Sequence, residues 1–127
     1  MIVAERDIEV LKLKQALENN GYQVYWVETS IEAWDRAKLN YFDLIVLDLD
    51  PSAEKSLTRY KELKSYPELA NLPIVILASR QILSRKLRGF EGSQVHFLVR
   101  DSIVEARLLQ LIELTHYLRY RYLDLVP

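Results

Sequence analysis

The 127-residue chain has no cysteine, which rules out disulfides, thiolate catalysis and cysteine-based zinc sites. Its three glycines, Gly21, Gly89 and Gly92, form no phosphate-cradling loop, so nucleotide binding of that kind is not expected. The two histidines, His96 and His116, are too isolated to suggest a metal pair, and no Ser/His/Asp arrangement is apparent. Charge of one sign is lacking as well. Seventeen basic residues against eighteen acidic ones leave a net −1, with no bulk attraction to nucleic acid or an anionic membrane. No long uncharged apolar run marks a membrane span, and the start, MIVAERD, enters an apolar strand directly where a signal sequence would have a basic region. Repeats, low-complexity tracts and Gly/Ser linkers are absent too. A cytoplasmic chain with one main domain is the expectation, large enough to bury roughly two-thirds of its unfolded surface.

What is present is a rhythm. Short apolar runs recur at wide, similar intervals: MIVA, VYWV (Val24–Val27), LIVL, IVIL (Ile74–Leu77) and VHFLV (Val95–Val99). Each is rich in β-branched or aromatic residues and is bounded by polar residues, as strands are. Helical spacing fills the gaps. Ile8, Leu11, Ala16 and Leu17 make an apolar stripe between Asp7 and Asn20, with Gly21 as the stop. Thr29 and Glu32 form a capping box for a second helix whose buried face is expected to carry Ile31, Trp34 and Ala37. Ser52 is placed to cap a third helix ending near Tyr66, before Pro67. A weaker basic helix spans about Gln81 to Gly89. Ser102 and Glu105 form a second capping box, opening a last helix that reaches about Tyr122.

Connections of this length suit helices and not hairpin turns, so the strands should be parallel. Five strand–helix repeats give an α/β fold, a (βα)5 doubly wound, flavodoxin-like sheet in the order 2-1-3-4-5. Residues 1–122 form the domain, and 123–127 are a tail that could begin a linker to an output domain. In such a sheet, ligands gather at the carboxyl ends of the strands, beside the switch point between strands one and three. Glu5, Arg6 and Asp7 follow the first strand, and Asp48 follows the third, so Asp48 falls where this fold places its chemistry.

FDLIVLDLDP, LPIVILAS and GSQVHFLVRD, in that order and spacing, resemble the third, fourth and fifth strands of a bacterial response-regulator receiver domain. The resemblance runs from Met1 to about Leu118. It implies that Asp48 occupies the phosphoacceptor position, with Glu5, Asp48 and Asp50 as candidates for a magnesium site. It also implies phosphoryl contacts from a hydroxyl on the fourth strand and a basic residue on the fifth, here Ser79 and Arg100.

Several positions depart from that pattern. Arg6 stands in the acidic pair, and a guanidinium cannot be deprotonated. Its repulsion of a cation at ~4 Å is about 4 kcal/mol per unit-charge pair at an effective dielectric of about 20, and a divalent ion doubles that. Ala78 takes the hydroxyl position with Ser79 one residue late, Arg100 replaces lysine, and the turn after Asp48 is one residue short. Asp48 therefore reads either as a phosphoacceptor or as a strand-end acid paired with Arg6 or Arg100. In the second picture Arg6 stands in the metal's place as a built-in counter-charge.

The preferred expectation is an atypical, pseudo-receiver-like module of two-component signalling. It would act by protein–protein contact, be no enzyme, carry no cofactor and work independently of phosphorylation. The alternatives are a receiver phosphorylated on Asp48 by a histidine kinase, using magnesium, and a small-ligand sensor using the degenerate acidic pocket. Candidate contact residues are Phe97, which otherwise reads as core, Arg85 and Arg88 in the basic run, and Tyr117 and Tyr120 in the last helix. Tyrosine and arginine are favoured at interfaces. Partners would be a sensor kinase or an output domain, with a homodimer through the last helix as a further arrangement. No nucleic-acid-binding pattern is apparent in this domain.

Overall fold

The structure, a computed structural model, describes residues 1–49, 53–80 and 94–124; for residues 53, 54, 56 and 116–124 it describes the backbone alone. Five parallel strands, β1 (Ile2–Val3), β2 (Trp26–Val27), β3 (Ile45–Asp48), β4 (Ile74–Ala78) and β5 (Val95–Val99), form one sheet in the order β2-β1-β3-β4-β5. The register pairs Ile2 with Trp26 and Val46, Val46 with Val75, and Ile76 with Phe97. The expected fold and strand order are those observed.

Strand periodicity sorts the apolar runs onto two faces. Val3, Ile45, Leu47, Ile74, Ile76 and Ala78 belong to one core cluster, joined by Ala33, Tyr60, Leu63 and Leu69 from helices α2 (Ser30–Leu39), α3 (Ala53–Ser65) and α4 (Pro67–Ala70). Ile2, Ala4, Val46, Val75 and Leu77 belong to the other, joined by Val10, Leu13 and Leu17 of α1 (Ile8–Asn19) and Leu108 of α5 (Val104–Asp124). A parallel sheet covered on both sides needs apolar residues at successive positions, which is why these strands read as unbroken runs.

Helix ends follow local chemistry. Asp7 caps α1, its side chain accepting from the Glu9 N–H. Gly21, at φ 89°, closes α1 by donating to the Glu18 carbonyl at 3.0 Å, while the Tyr22 N–H reaches Leu17 at 3.1 Å. This left-handed closure is the one that favours glycine. Thr29 caps α2 as expected, through the Glu32 N–H at 3.1 Å, and Glu32 reaches back to the Glu28 N–H at 3.4 Å.

Some sequence expectations need correction. The buried face of α1 is Val10, Leu13 and Leu17, whereas Ile8 is 72% exposed and Leu11 is exposed too. In α2, Ile31 also faces outward; Ser30 and Ala33 are buried, with Trp34 and Ala37 packed beside them. Pro67 ends α3, and it also opens the short α4, which spacing alone did not reveal. The turn into α5 is held by Asp101 instead of Ser102: its Oδ1 accepts from Ile103 N at 3.0 Å and its carbonyl from Val104 N at 3.2 Å. The Ser52 cap and the basic helix at 81–89 lie outside the described residues. Among the described residues, no helix is long and apolar enough to cross a membrane.

Candidate functional site

Three strand ends converge at the carboxyl edge of the sheet. Asp48 is the last residue of β3, anchored by the following Leu49 N–H donating to Leu77 at 2.8 Å. Arg100 directly follows β5, and its backbone N–H extends the ladder by one bond, to Ala78 at 2.9 Å. Asp7 lies three residues beyond Ala4, itself held to β2 by Ala4 N to Val27 O at 3.0 Å and by the Trp26 indole on the Ala4 carbonyl at 2.9 Å. Rigid strands thus aim Asp48 and Arg100 at each other across β4. That strand ends in Ala78, whose methyl is the only side-chain bulk it adds there.

Arg100 links three acids from two segments, the end of β3 and the start of α1. Its Nη1 lies 3.0 Å from both carboxylate oxygens of Asp48. Its Nη2 donates to Asp7 Oδ2 at 3.1 Å and to Glu9 Oε2 at 2.7 Å. The Arg100 and Asp48 side chains are only 21% and 13% exposed, so water competes weakly for this pair. The two oxygens of Asp7 divide their work: Oδ1 caps α1 through Glu9 N at 2.8 Å and Oδ2 meets Arg100.

The electrostatics follow. Asp7 has its pKa lowered, first by the Glu9 N–H and then by the hydrogen bond from Arg100. For Arg100, burial alone would lower the pKa, but Asp48, Asp7 and Glu9 together outweigh it and the net direction is upward. The guanidinium is therefore permanently charged and surrounded by acids.

The other residues singled out from sequence are placed as follows. Arg6 does not stand beside Asp48. Its side chain is 89% exposed and its Nε lies 3.6 Å from Glu28 Oε1, so the counter-charge expected from Arg6 comes from Arg100 instead. The backbone that aims Asp7 into the site turns its neighbour Arg6 outward. Glu5 is exposed. Ser79 lies one residue past β4 and is exposed, while Ala78, the strand's last residue, is fully buried. Phe97 is 37% exposed and so is not simply core. Asp50, Arg85 and Arg88 lie outside the described residues, as do the side chains of Tyr117 and Tyr120. Glu9 was not anticipated as a site residue, nor was Asp7 as a partner of Arg100. The legible signal was the acidic first turn of α1 beside the switch point.

No family model matches the chain. Among curated proteins it is 28% identical over 93 residues to a gliding motility regulatory protein of Myxococcus xanthus, covering 73% of this chain and 12% of that one. It is 27% identical over 99 residues to the response regulator MprA of a Mycobacterium species, covering 78% and 42%. It is 27% identical over 79 residues to the polar-differentiation response regulator DivK of Brucella ovis, covering 62% and 64%. The chain thus spans less than two-thirds of the length of each of these relatives. Among solved structures, a response regulator receiver modulated diguanylate cyclase from Pelobacter carbinolicus superposes with a TM-score of 0.71 at 26% identity, over 98% of this chain and 96% of that one. The signal receiver domain of a histidine kinase from Syntrophus aciditrophicus gives 0.63 at 27% identity, over 90% and 86%. These relatives are response regulators and these neighbours are receiver domains, and the chain shares the receiver fold. The receiver domain of a Pseudomonas aeruginosa sensor histidine kinase, with a magnesium ion coordinated in its active site cleft, matches the fold alone, with a TM-score of 0.67 at 17% identity over 88% and 91%.

The described acids at this sheet edge do not fit a divalent cation. Magnesium needs oxygen donors converging in near-octahedral geometry. Here both oxygens of Asp48, one of Asp7 and one of Glu9 converge on the Arg100 guanidinium instead. Among the described residues no three His, Cys, Asp or Glu side chains are grouped to hold a metal.

Proposed function

We propose that this receiver works in two-component signalling through contact with protein partners, with Asp48 kept in one charge state by Arg100 instead of being switched by phosphorylation. The observation that carries this reading is the double contact of Arg100 Nη1 with both Asp48 oxygens, reinforced by Nη2 on Asp7 and Glu9. A carboxylate attacks phosphorus through one of its oxygens. Each oxygen of Asp48 is already a charge-assisted acceptor, and the neighbouring acids Asp7 and Glu9 are engaged by the same cation. Phosphoryl transfer would require Arg100 to leave all three acids. On this reading the domain has no catalytic activity and no cofactor.

The partner would be a sensor kinase or an output domain, and the chain could also pair with itself. Exposed apolar side chains on the β5–α5 side support that surface: Phe97, Ile103 and Leu114. Isolated exposed apolar residues are ordinary; three spread over one strand, the turn after it and the following helix make a better contact.

The test is intact-mass analysis after incubation with magnesium and acetyl phosphate, with Asp48→Asn as control. We expect no adduct. A phosphoryl adduct present in the native chain and missing in the control would overturn the reading and make Asp48 a phosphoacceptor. Sedimentation of the native chain beside a Leu114→Glu variant tests self-association.

A further inference from the structure

A second polar site lies between the start of α2 and the outer face of α3. Lys55, Thr58, Arg59 and Glu62 fall at i, i+3, i+4 and i+7 of α3, so they share one helix face. With Thr29 and Ser30 of α2 they line an open groove of about 490 Å³. Among the described residues, the Arg100 guanidinium pairs with Asp48, Asp7 and Glu9 and not with this wall.

Four observations point to what the groove takes. First, α2 is ten residues long and presents its N-terminus here, with the partial positive charge that a helix start carries. Thr29 Oγ1 already serves the Glu32 N–H, and the Thr29 carbonyl serves Ala33 N, which leaves the N–H groups of Ser30 and Ile31 as first-turn donors. Second, Ser30 is 4% exposed, and its hydroxyl is buried with no hydrogen-bond partner among the described residues. Buried hydroxyls are nearly always paired, so an orphan in a groove wall points to a missing acceptor. Third, Arg59 is half-buried and, among the described residues, pairs with no carboxylate. Lys55 and Thr58 have other partners, so the weight falls on Arg59. Fourth, the charge balance favours an anion: Lys55 and Arg59 face one acid, Glu62, on the same wall.

We infer that this groove binds a phosphate-sized oxyanion, held by the first turn of α2, the Ser30 hydroxyl and the Arg59 guanidinium. The anion is either free phosphate or the terminal phosphate of a small metabolite. An oxyanion entering here displaces the flexible side chains of the wall, accepts from Ser30 and meets a planar donor suited to bidentate contact with phosphate. The inference is independent of whether Asp48 accepts a phosphoryl group, because the site uses none of the residues around Arg100.

The test is a titration of the whole chain with inorganic phosphate, followed by backbone amide NMR and repeated with a phosphomonoester and with chloride at matched ionic strength. Saturable shifts centred on the Ser30 and Ile31 amides are expected with phosphate. Arg59→Gln should weaken binding about tenfold, the loss of one charge-assisted contact. Ser30→Ala should weaken it by a smaller factor and, with its orphan hydroxyl gone, raise the melting temperature without phosphate. Tighter binding of the monoester would favour the metabolite as source; equal binding would favour free phosphate. Shifts that are absent, equal with chloride, unchanged in Arg59→Gln, or centred on Asp48 and Arg100 would each overturn the inference.

Discussion

Arg100 and Asp48 are joined through a single nitrogen, Nη1, at 3.0 Å from each carboxylate oxygen, which leaves Nη2 free to reach Asp7 and Glu9. A side-on fork would have spent both nitrogens on one acid. Instead one guanidinium ties the end of β3 to the start of α1 from beyond the end of β5. The contacts span 91, 93 and 52 residues of sequence. Removing the cation should therefore loosen more than one element.

Asp48→Asn keeps the shape and removes the charge, so it measures the charge-assisted part of the pair. The expected loss is about 1.5–3 kcal/mol in urea unfolding, the range for hydrogen bonds to charged groups. Arg100 retains Asp7 and Glu9, which holds the figure below that of a fully orphaned buried charge. A double-mutant cycle with Arg100→Gln should give a coupling of about 0.5–3 kcal/mol. Additive single effects would show that the two side chains do not act as a pair.

The depressed pKa of Asp7 gives pH dependence a definite sign. A carboxyl whose folded pKa lies below its unfolded value stabilises the fold above the unfolded value, and that contribution disappears as pH falls through the folded one. Its ordinary value is 3.8, so the window lies below that pH. Carbon-detected NMR titration should place the Asp7 midpoint below 3.8, and Arg100→Gln should move it partway back. The N–H of Glu9, the larger cause, remains in that variant, so a complete return would contradict the capping contact. Asp7 is largely exposed, and solvent screening keeps the stability effect small.

The faces of α1 make a sharper test of packing. Leu13 is 3% exposed within the core shared with β1 and α5, whereas Ile8 faces solvent. Leu13→Ala should cost about 2–5 kcal/mol. Ile8→Ser should change stability by no more than about 0.5 kcal/mol. The reverse order would restore the stripe that spacing suggested.

That stripe shows where sequence reading stops. Apolar residues at 8, 10, 11, 13, 16 and 17 fit two overlapping helical faces, and periodicity does not choose between them; the position of α1 over Ile2 and Val46 does. The strands were legible because two-sided burial forces continuous apolar runs, and with them the parallel order and the place of Asp48 at its edge. The counter-charge was legible only as a choice between Arg6 and Arg100. Arg6 stands nearer the expected metal acids in sequence than Arg100, but which one enters the site depends on backbone direction after β1. Glu9 was invisible for a related reason: its contact with Arg100 exists only once β5 has been laid beside β4.

Arg100→Ala removes one positive charge from among three carboxylates and leaves them facing one another. Repulsion among Asp48, Asp7 and Glu9 should lower stability in low salt, and added salt should restore part of it by screening. The cluster should then favour a divalent cation, since converging carboxylate oxygens are what magnesium and calcium bind. Calorimetry and thermal melting with and without magnesium check both effects. The native chain should melt at nearly the same temperature in either buffer, whereas Arg100→Ala should melt higher with magnesium. The linkage is direct: a ligand at a hundred times its Kd stabilises by about 2.7 kcal/mol. Arg100→Lys separates charge from reach, because an ammonium is a point charge without the guanidinium's two separate nitrogens and does not reproduce the shared contact. Its magnesium response should lie between those of the native chain and the alanine variant. An equal magnesium shift in the native chain would mean that Arg100 yields its place to a cation, and the acid cluster would then be a metal site in its own right.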